Sequence, residues 1–353
     1  MKVMLGLMSV LCAIAVCTVL NLTSGVFIPL VIAWFLLQVF RPLIALGRKI
    51  RLPQILNTIL VLAVFFGLCF LGVKFCTTQV VAFNQAFNRY YDKLSAVSKE
   101  MMELLQIPEN IMSRFDWVNI LGSSLRNISE LAFELSSKFV LMVVFLLFML
   151  LEAPYLNNKI DHAFSGRHAT KIKKILATVS DQISRYLGTM TIISMATGFC
   201  AWIALRIFDV ELAEGWAVLT FVLNFIPTVG SIIATIPPVL MAMFQFSPSY
   251  FRPIMVLLSL WAIQLTIGNI ITPKVVGDKL NLSPVLILLS LLFWGMIWGI
   301  PGAILSVPIA SIIEIVCENI PSLHPIAVMM GSGREPFPSL SQIDDEDEEK
   351  ETE

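Results

Sequence analysis

The sequence predicts an all-α, polytopic membrane protein with about eight transmembrane or re-entrant helical segments. Hydrophobic residues make up 57% of the 353 residues and charged residues 14%, whereas soluble domains are about a quarter charged. The mean hydropathy is +0.83. Apolar runs long enough to cross a bilayer alternate with polar loops, and one long polar region carries a helical repeat. Together these observations exclude a soluble globular domain.

The charge is distributed unevenly along the chain. The formal net charge is −1, but residues 344–353 hold eight acidic residues and one lysine, so the rest of the chain carries 17 acidic and 23 basic residues, or +6. An excess of Lys and Arg marks cytoplasmic loops, so the basic loops indicate the orientation of the chain. Residues 321–353 are predicted to form a disordered, acidic, cytoplasmic tail.

Residues 1–76 are predicted to hold the first transmembrane helices. The apolar runs 1–20 and 26–40 lie so close together that we expect an uncleaved helical hairpin and not a signal peptide. A third segment covers residues 55–75. The loop before it has four basic residues and no acidic one, which favours the cytoplasmic side. These basic residues are Arg41, Arg48, Lys49 and Arg51.

Residues 77–136 are predicted to form a helical extracytoplasmic region. Apolar residues repeat there in a heptad pattern, and Pro108 ends the first series. The region has five basic and seven acidic residues, which suits the outer side. The repeat fits either an antiparallel helix pair within one subunit or packing between subunits of a ring. The first series is Val80, Phe83, Phe87, Tyr90, Leu94, Val97, Met101 and Leu104, and the second is Val118, Leu121, Leu125, Ile128, Ala132 and Leu135.

A transmembrane helix over residues 137–152 is predicted to lead into a cytoplasmic loop over residues 153–187. This loop carries six basic and two acidic residues. Its apolar residues share one helical face, which predicts a basic amphipathic helix on the inner membrane surface or against the helix bundle. The residues of this face are Ile172, Ile175, Leu176, Val179, Ile183, Tyr186 and Leu187.

Residues 188–320 are predicted to form a transmembrane core with two broken segments. Segment 216–246 is interrupted over residues 224–230 and again at Pro237-Pro238, and segment 283–317 is interrupted over residues 299–302. Each arm has about 15 residues, roughly 22 Å as a helix, which is short for a bilayer core of about 30 Å. We expect two re-entrant hairpins that enter from opposite faces. Full crossings are the alternative.

The two breaks are the candidate substrate pathway, because irregular backbone within a membrane is tolerated only where it is buried in protein or lines a wet cavity. Amides in membrane helices often only join helices, and a contact with solute is the other interpretation. Glycines there permit turns and close packing, and prolines free backbone carbonyls. The candidate pathway residues are Asn224, Pro227, Thr228, Gly230, Ser231, Gly268, Asn269, Pro273, Gly299, Pro301 and Gly302.

Acidic residues close to membrane depth are candidates for ion coupling. Glu152 and Glu314 are such residues, although their place near helix ends also fits simple interfacial exposure. We expect no metal or cofactor, since the six cysteines form no C-x-x-C pair and the three histidines lie apart. No nucleic-acid partner is expected, because the charge density of the basic loop is modest. The sequence contains no Walker A motif, nucleophile elbow or H-E-x-x-H motif, so an enzyme is not expected.

Four blocks of the chain resemble the bacterial autoinducer-2 exporter (AI-2E) family of permeases. They are FMLLEAP (148–154), NFIPTVGSIIATIPP (224–238), GNIITPKVVGDKLNLSP (268–284) and FWGMIWGIPGAILSVP (293–308). The resemblance implies a multi-pass bacterial inner-membrane protein that exports small polar solutes, among them the quorum-sensing molecule autoinducer-2. Other members have been assigned Na+(Li+)/H+ antiport. The family also implies a homo-oligomer, with a pentamer expected.

Three functions are therefore compatible with the sequence. The first is an exporter of a small polar signalling molecule, and the second is a monovalent cation/proton antiporter. The third is a non-transporting oligomeric scaffold, which is supported only by the heptad repeats. The expected partners are the lipid bilayer, a small polar solute and further copies of the chain. Some relatives carry a basic residue where this chain has Gly188-Thr189-Met190, so no role for such a residue is expected here.

Overall fold

The computed structural model describes residues 2–105, 128–164, 166–227, 229–276, 282–320 and 323–333. Over these residues the chain is helical, and the one extended pairing among them is a bridge between Leu282 and Gly331. The predicted all-α class is confirmed. In chain order the helices are α1 (Lys2–Leu22), α2 (Ser24–Val39), α3 (Arg41–Lys49), α4 (Gln54–Leu105), α5 (Ile128–Glu152), α6 (Leu156–Ala163), α7 (Arg167–Ile207), α8 (Ala213–Leu223), α9 (Val229–Phe246), α10 (Phe251–Gln264), α11 (Thr272–Val276), α12 (Pro284–Glu318) and α13 (His324–Met330). A 3₁₀ turn (Ala153–Tyr155) joins α5 to α6, and a π-helix (Leu265–Ile271) joins α10 to α11.

Six of the described helical segments are long and apolar enough to cross a bilayer. They are Gln54–Phe83, Lys138–Ala163, His168–Ile207, Val229–Phe246, Phe251–Ile271 and Pro284–Glu318. A seventh is counted if the bent pair Ile14–Leu22 and Ser24–Val39 forms one span. The bend between that pair is 86°, so α1 and α2 meet almost at a right angle and not as the predicted hairpin. Only Thr23 separates the two helices, which is too little chain for a reversal.

Helices continue through two of the predicted domain boundaries. The third membrane segment and the first heptad series form one helix, α4, of 52 residues. Its polar stretch at Thr77 and Thr78 stays helical, and both hydroxyls donate to the Lys74 carbonyl at 2.9 Å. The basic amphipathic helix and the following span likewise form one helix, α7, of 41 residues. The second heptad series before Ile128, together with Pro108 and the tail beyond residue 333, lies outside the described residues.

The chain divides into two compact units. The first comprises Met1–Val61, Leu141–Met190 and Pro273–Glu353. Helices α1, α2 and α13 pack against α12 there. The face predicted for the amphipathic helix is buried in protein at Val179, Ile183, Tyr186 and Leu187. The part of the amphipathic helix from Val179 to Leu187 therefore packs against the helix bundle and does not lie on the membrane surface.

The second unit comprises Leu62–Val140 and Thr191–Thr272. Helix α9 packs against both α8 and α10, and the core is formed by small and aliphatic side chains such as Ala201, Leu205, Ala242 and Val256. Phe83, the second residue of the first heptad series, packs edge-on against Trp216 with ring centroids 6.3 Å apart. The start of this series therefore makes contacts within its own subunit.

Candidate functional site

The first predicted break is present between α8 and α9, in the second unit. Helix α8 ends at Leu223, and α9 begins at Val229. The Gly230 amide donates to the Ile226 carbonyl at 3.1 Å. A Cβ on Gly230 would overlap the Leu223 carbonyl oxygen and lie 2.7 Å from its carbon. Because α8 and α9 also pack against each other, the chain turns back here and does not form one kinked helix.

The lengths of the two arms fit a re-entrant element. Helix α8 has 11 residues, which is about 16 Å and roughly half of a bilayer core. Helix α9 has 18 residues and is long enough to cross. The second interruption predicted in this segment is wrong, because α9 continues through Pro237 and Pro238. Prolines are tolerated within membrane helices when the surrounding structure satisfies the freed backbone groups.

A small polar cluster, formed by Asn224, Ser194 and Thr197, lies at this turn. The Asn224 side-chain amide donates to Ser194 Oγ at 3.0 Å. Ser194 and Thr197 are fully buried on α7, and the Thr197 hydroxyl donates to the Ile193 carbonyl at 2.8 Å. The Ser194 hydroxyl is thus a buried acceptor that holds the turn against α7. These two residues were not among the candidates from the sequence, although two polar residues three apart within an apolar helix could have indicated them.

The other candidates of this turn have ordinary backbone roles. Pro227 and Ser231 are half-buried, and the Pro227 carbonyl accepts from the Val229 amide at 2.6 Å. Ser231 offers its carbonyl to the Thr235 hydroxyl at 2.9 Å. Thr228 lies outside the described residues. Asn224, Pro227, Gly230 and Ser231 are therefore brought together around a single turn.

The second predicted break is present within α12, in the first unit. Gly299 has φ 65° and ψ −142°, a conformation that favours glycine. The Ser290 hydroxyl donates to the Ser306 carbonyl at 2.8 Å. In a continuous helix these residues, 16 apart, would be separated by about 24 Å. Residues 284–298 and 300–318 are therefore two arms folded against each other.

Close backbone approach explains the glycine after the break. A Cβ on Gly302 would overlap the Trp294 carbonyl oxygen and lie 2.9 Å from Trp298 Cβ. Pro301 is half-buried beside it. Gly299 turns the chain, and Gly302 lets the arms meet. Both glycines thus have the conformational role that the sequence predicted.

The tip of this second hairpin is tied to the end of α1 by two reciprocal hydrogen bonds, which we call the α1 latch. The Asn21 side-chain amide donates to the Ile297 carbonyl at 2.8 Å. The Trp298 indole N–H donates to the Leu20 carbonyl at 3.1 Å. Each element thus satisfies a backbone carbonyl of the other. The sequence analysis missed this contact, since its partners are more than 270 residues apart and no local pattern marks it.

The third group of candidates lies on irregular helix. Gly268 and Asn269 are exposed on the π-helix, and π-turns occur often at functional sites. The Thr272 hydroxyl donates to the Ile267 carbonyl at 2.8 Å, across this turn. Pro273 lies in α11, and its side chain is not among those described. A pathway role for these residues stays a prediction.

The two carboxylates proposed for ion coupling differ in their surroundings. Glu152 ends α5, is exposed and forms an ion pair with Lys159. Such a pair is a common feature of a protein surface. Glu314 lies on the second arm of α12 with only 6% of its surface exposed. Glu314 is therefore the better candidate for a functional carboxylate.

These features define a class of protein: a multi-pass helical membrane protein with two helices that reverse at glycine- and proline-containing breaks, as in many transporters. The match to known proteins identifies the family. The AI-2E family transporter description matches residues 7–322, and the chain belongs to this family. The resemblance carried by the four blocks is confirmed.

Curated relatives align over almost their whole length. A protein of Borreliella burgdorferi, named "Putative transport protein", is 29% identical over 93% of this chain and 91% of its own. The AI-2 transport protein TqsA of Escherichia coli K12 is 31% identical over 93% of this chain and 94% of its own. A Haemophilus influenzae protein with the same name as the first is 31% identical over 94% and 96%. A transport role is thus supported.

Proposed function

We propose that the protein exports a small polar solute across the inner membrane, with autoinducer-2 or a similar signalling molecule as its substrate. The observation that carries this proposal is the α8–α9 turn, where a chain reversal and a buried polar cluster interrupt an apolar segment. Family membership supports transport, and one relative is named as an AI-2 transport protein. The scaffold hypothesis has no comparable support.

The chemistry of the turn suits a neutral polyol or a weak anion. The amide of Asn224 can donate to and accept from a hydroxylated solute. The N-terminus of α9, which begins at Val229, presents the positive end of a helix dipole. No formal charge is required of the solute. Asn224 has the central recognition role in this proposal, and Gly230 holds the turn.

Two measurements test the proposal. A deletion strain should retain autoinducer-2 inside the cell, and vesicles that contain the purified protein should release it. Asn224→Leu keeps the side-chain volume and removes the amide. We therefore expect this variant to be expressed normally but to lose transport or to transport different solutes. Asn158 is an exposed residue of α6. Asn158→Leu is therefore the matched control and should transport normally. Absence of flux for every polar solute tested, with folded protein in the vesicles, would rule out the exporter.

The second candidate function is monovalent cation/proton antiport, and the burial of Glu314 favours it. A carboxylate kept at 6% exposure within a membrane-spanning helix is a typical proton or cation site. Complementation of a sodium-sensitive strain distinguishes this function. The wild-type chain and Glu152→Gln should restore growth in salt, whereas Glu314→Gln should not. If the wild type gives no salt tolerance, antiport is excluded.

We further propose an inner-membrane orientation with the basic loops and the C-terminus in the cytoplasm, and a homo-oligomer, with a pentamer expected. The orientation follows from the loop charges. Side chains on α4 such as Phe70, Leu71 and Val73 are 62–70% exposed, which offers an apolar surface to lipid or to other subunits. Cysteines at positions 49 and 168 should react only from the cytoplasm, and one at position 99 only from outside. Labelling of each position from the opposite side of the membrane would show that the proposed orientation is wrong. The native mass in lipid discs gives the subunit number.

A further inference from the structure

A cavity of about 320 Å³ lies in the first unit, and none of its lining residues belongs to either broken helix. It is formed where α2 and α5 end and α4 begins, with α3 beside them. Its volume corresponds to about ten water molecules and to the lower end of the range for small-molecule sites. Ala153 and Pro154, from the block 148–154, form part of its wall. Residues of this block line a cavity that is separate from the proposed transport pathway.

The wall of the cavity contains a buried, incompletely satisfied amide. Asn57 is 7% exposed, and its Nδ2 donates to the Ile44 carbonyl at 3.0 Å. A carbonyl only accepts, so this bond fixes the orientation of the amide. Asn57 Oδ1 is buried and has no donor among the described residues. A Cβ at Gly47 would overlap Asn57 Oδ1 and lie 2.6 Å from Asn57 Cγ, so this oxygen is packed against the glycine, which makes room for the amide.

Polar groups around Asn57 complete the lining. Thr58 is 6% exposed, and its hydroxyl can both donate and accept. Gln54 and Asn157 add two amides, of which Gln54 donates to the Leu151 carbonyl at 2.8 Å. Most of the surrounding bilayer-facing sequence is apolar. Four polar side chains at one cavity therefore indicate a polar ligand.

The charge of the lining is positive. Among the described residues Arg48 is the only charged one that lines the cavity, and it has no ion pair with any of them. Glu152, next to the wall residue Ala153, is already paired with Lys159. Guanidinium groups bind phosphate through paired hydrogen bonds. The cavity is lined by Arg48 of the basic segment 41–51. In the orientation proposed above this segment lies on the cytoplasmic side, where anionic headgroups are found.

We infer that this cavity binds a hydroxylated phosphate ester of the phosphoglycerol type. Arg48 holds the phosphate, and the Thr58 hydroxyl together with the Gln54 and Asn157 amides bonds the two hydroxyls of the glycerol. A ligand ammonium could also donate to the Gln54 or Asn157 amide oxygen, but it would face the positive charge of Arg48. The same chemistry is present in the headgroup of phosphatidylglycerol and in free glycerol phosphate. The site is independent of the solute that the protein transports.

The test uses the full-length protein with defined probes. Native mass spectrometry measures retention of phosphatidylglycerol, phosphatidic acid and phosphatidylcholine, and calorimetry in detergent measures binding of glycerol phosphate, inorganic phosphate and glycerol. We expect phosphatidylglycerol or glycerol phosphate to bind better than the related probes. Arg48→Gln should weaken this binding about tenfold or more. Lys49→Gln removes an adjacent charge that does not line the cavity and should leave it unchanged.

The variants separate the site from general surface charge and the two ligand sources from each other. Thr58→Val keeps shape and should reduce the preference for phosphatidylglycerol over phosphatidic acid, which lacks the glycerol hydroxyls. Binding of the lipid without the free ester identifies a headgroup site, and binding of the free ester identifies a soluble ligand. Equal loss in Arg48→Gln and Lys49→Gln would overturn the site. So would a failure of both phosphoglycerol compounds to bind better than phosphatidylcholine or glycerol.

Discussion

Gly230→Ala is a sharp test of the chain reversal between α8 and α9. In a helix with free space, alanine in place of glycine stabilises by up to about 1 kcal/mol. At Gly230 the new Cβ would overlap the Leu223 carbonyl oxygen and lie 3.3 Å from Ile226 Cβ. Backbone atoms cannot move aside as a flexible side chain can, and overpacking costs about 1–3 kcal/mol. We therefore expect a net destabilisation of about 1–2 kcal/mol.

Gly188→Ala is the matched control for this prediction. Gly188 is a half-buried glycine inside α7, and a Cβ there would meet nothing within 4 Å. The assay is thermal unfolding of both purified variants in one detergent, followed by flux in vesicles. Gly230→Ala should lower the unfolding midpoint by a few degrees and reduce flux, whereas Gly188→Ala should match or exceed the wild type. Equal midpoints for both variants would refute the close approach at Gly230.

Three further predictions concern α12. Ser290→Ala removes the hydrogen bond to the Ser306 carbonyl between the arms and should destabilise the protein by about 1–3 kcal/mol, because both groups are buried; an unchanged unfolding midpoint would contradict the hairpin. Trp298→Phe keeps an aromatic ring but leaves the Leu20 carbonyl without its donor, so we expect a loss of about 1 kcal/mol in the same assay. Glu314→Gln should remove any proton dependence of flux, and a proton dependence that survives would exclude Glu314 as the coupling group.

The sequence was sufficient to locate both breaks, because glycine and proline act locally. Gly299 and Gly230 lie at reversals where the sequence placed them. The same local signal failed at Pro237-Pro238, which remain helical in α9. A change from apolar to polar composition likewise does not end a helix unless a residue stops it, and α4 and α7 continue through the predicted domain boundaries. Local composition therefore predicted turns better than it predicted helix ends.

The candidate site was predictable only in part, because its polar contacts join distant residues. Asn224 was identified from its own segment, but its partner Ser194 lies 30 residues earlier. The α1 latch joins Asn21 to a residue 276 positions away. Such pairs depend on how helices pack, and no spacing within one segment encodes that. Asn57 was missed for the same reason, since it is buried by α3 and not by its own helix.

We propose that the protein moves a small polar solute along the α8–α9 turn. The most direct measurement is release of autoinducer-2 from vesicles that contain wild-type protein, Asn224→Leu or Asn158→Leu, with and without a proton gradient. We expect release by the wild type and Asn158→Leu and loss or altered selectivity in Asn224→Leu. Equal flux in all three proteins would contradict the placement of the pathway at this turn.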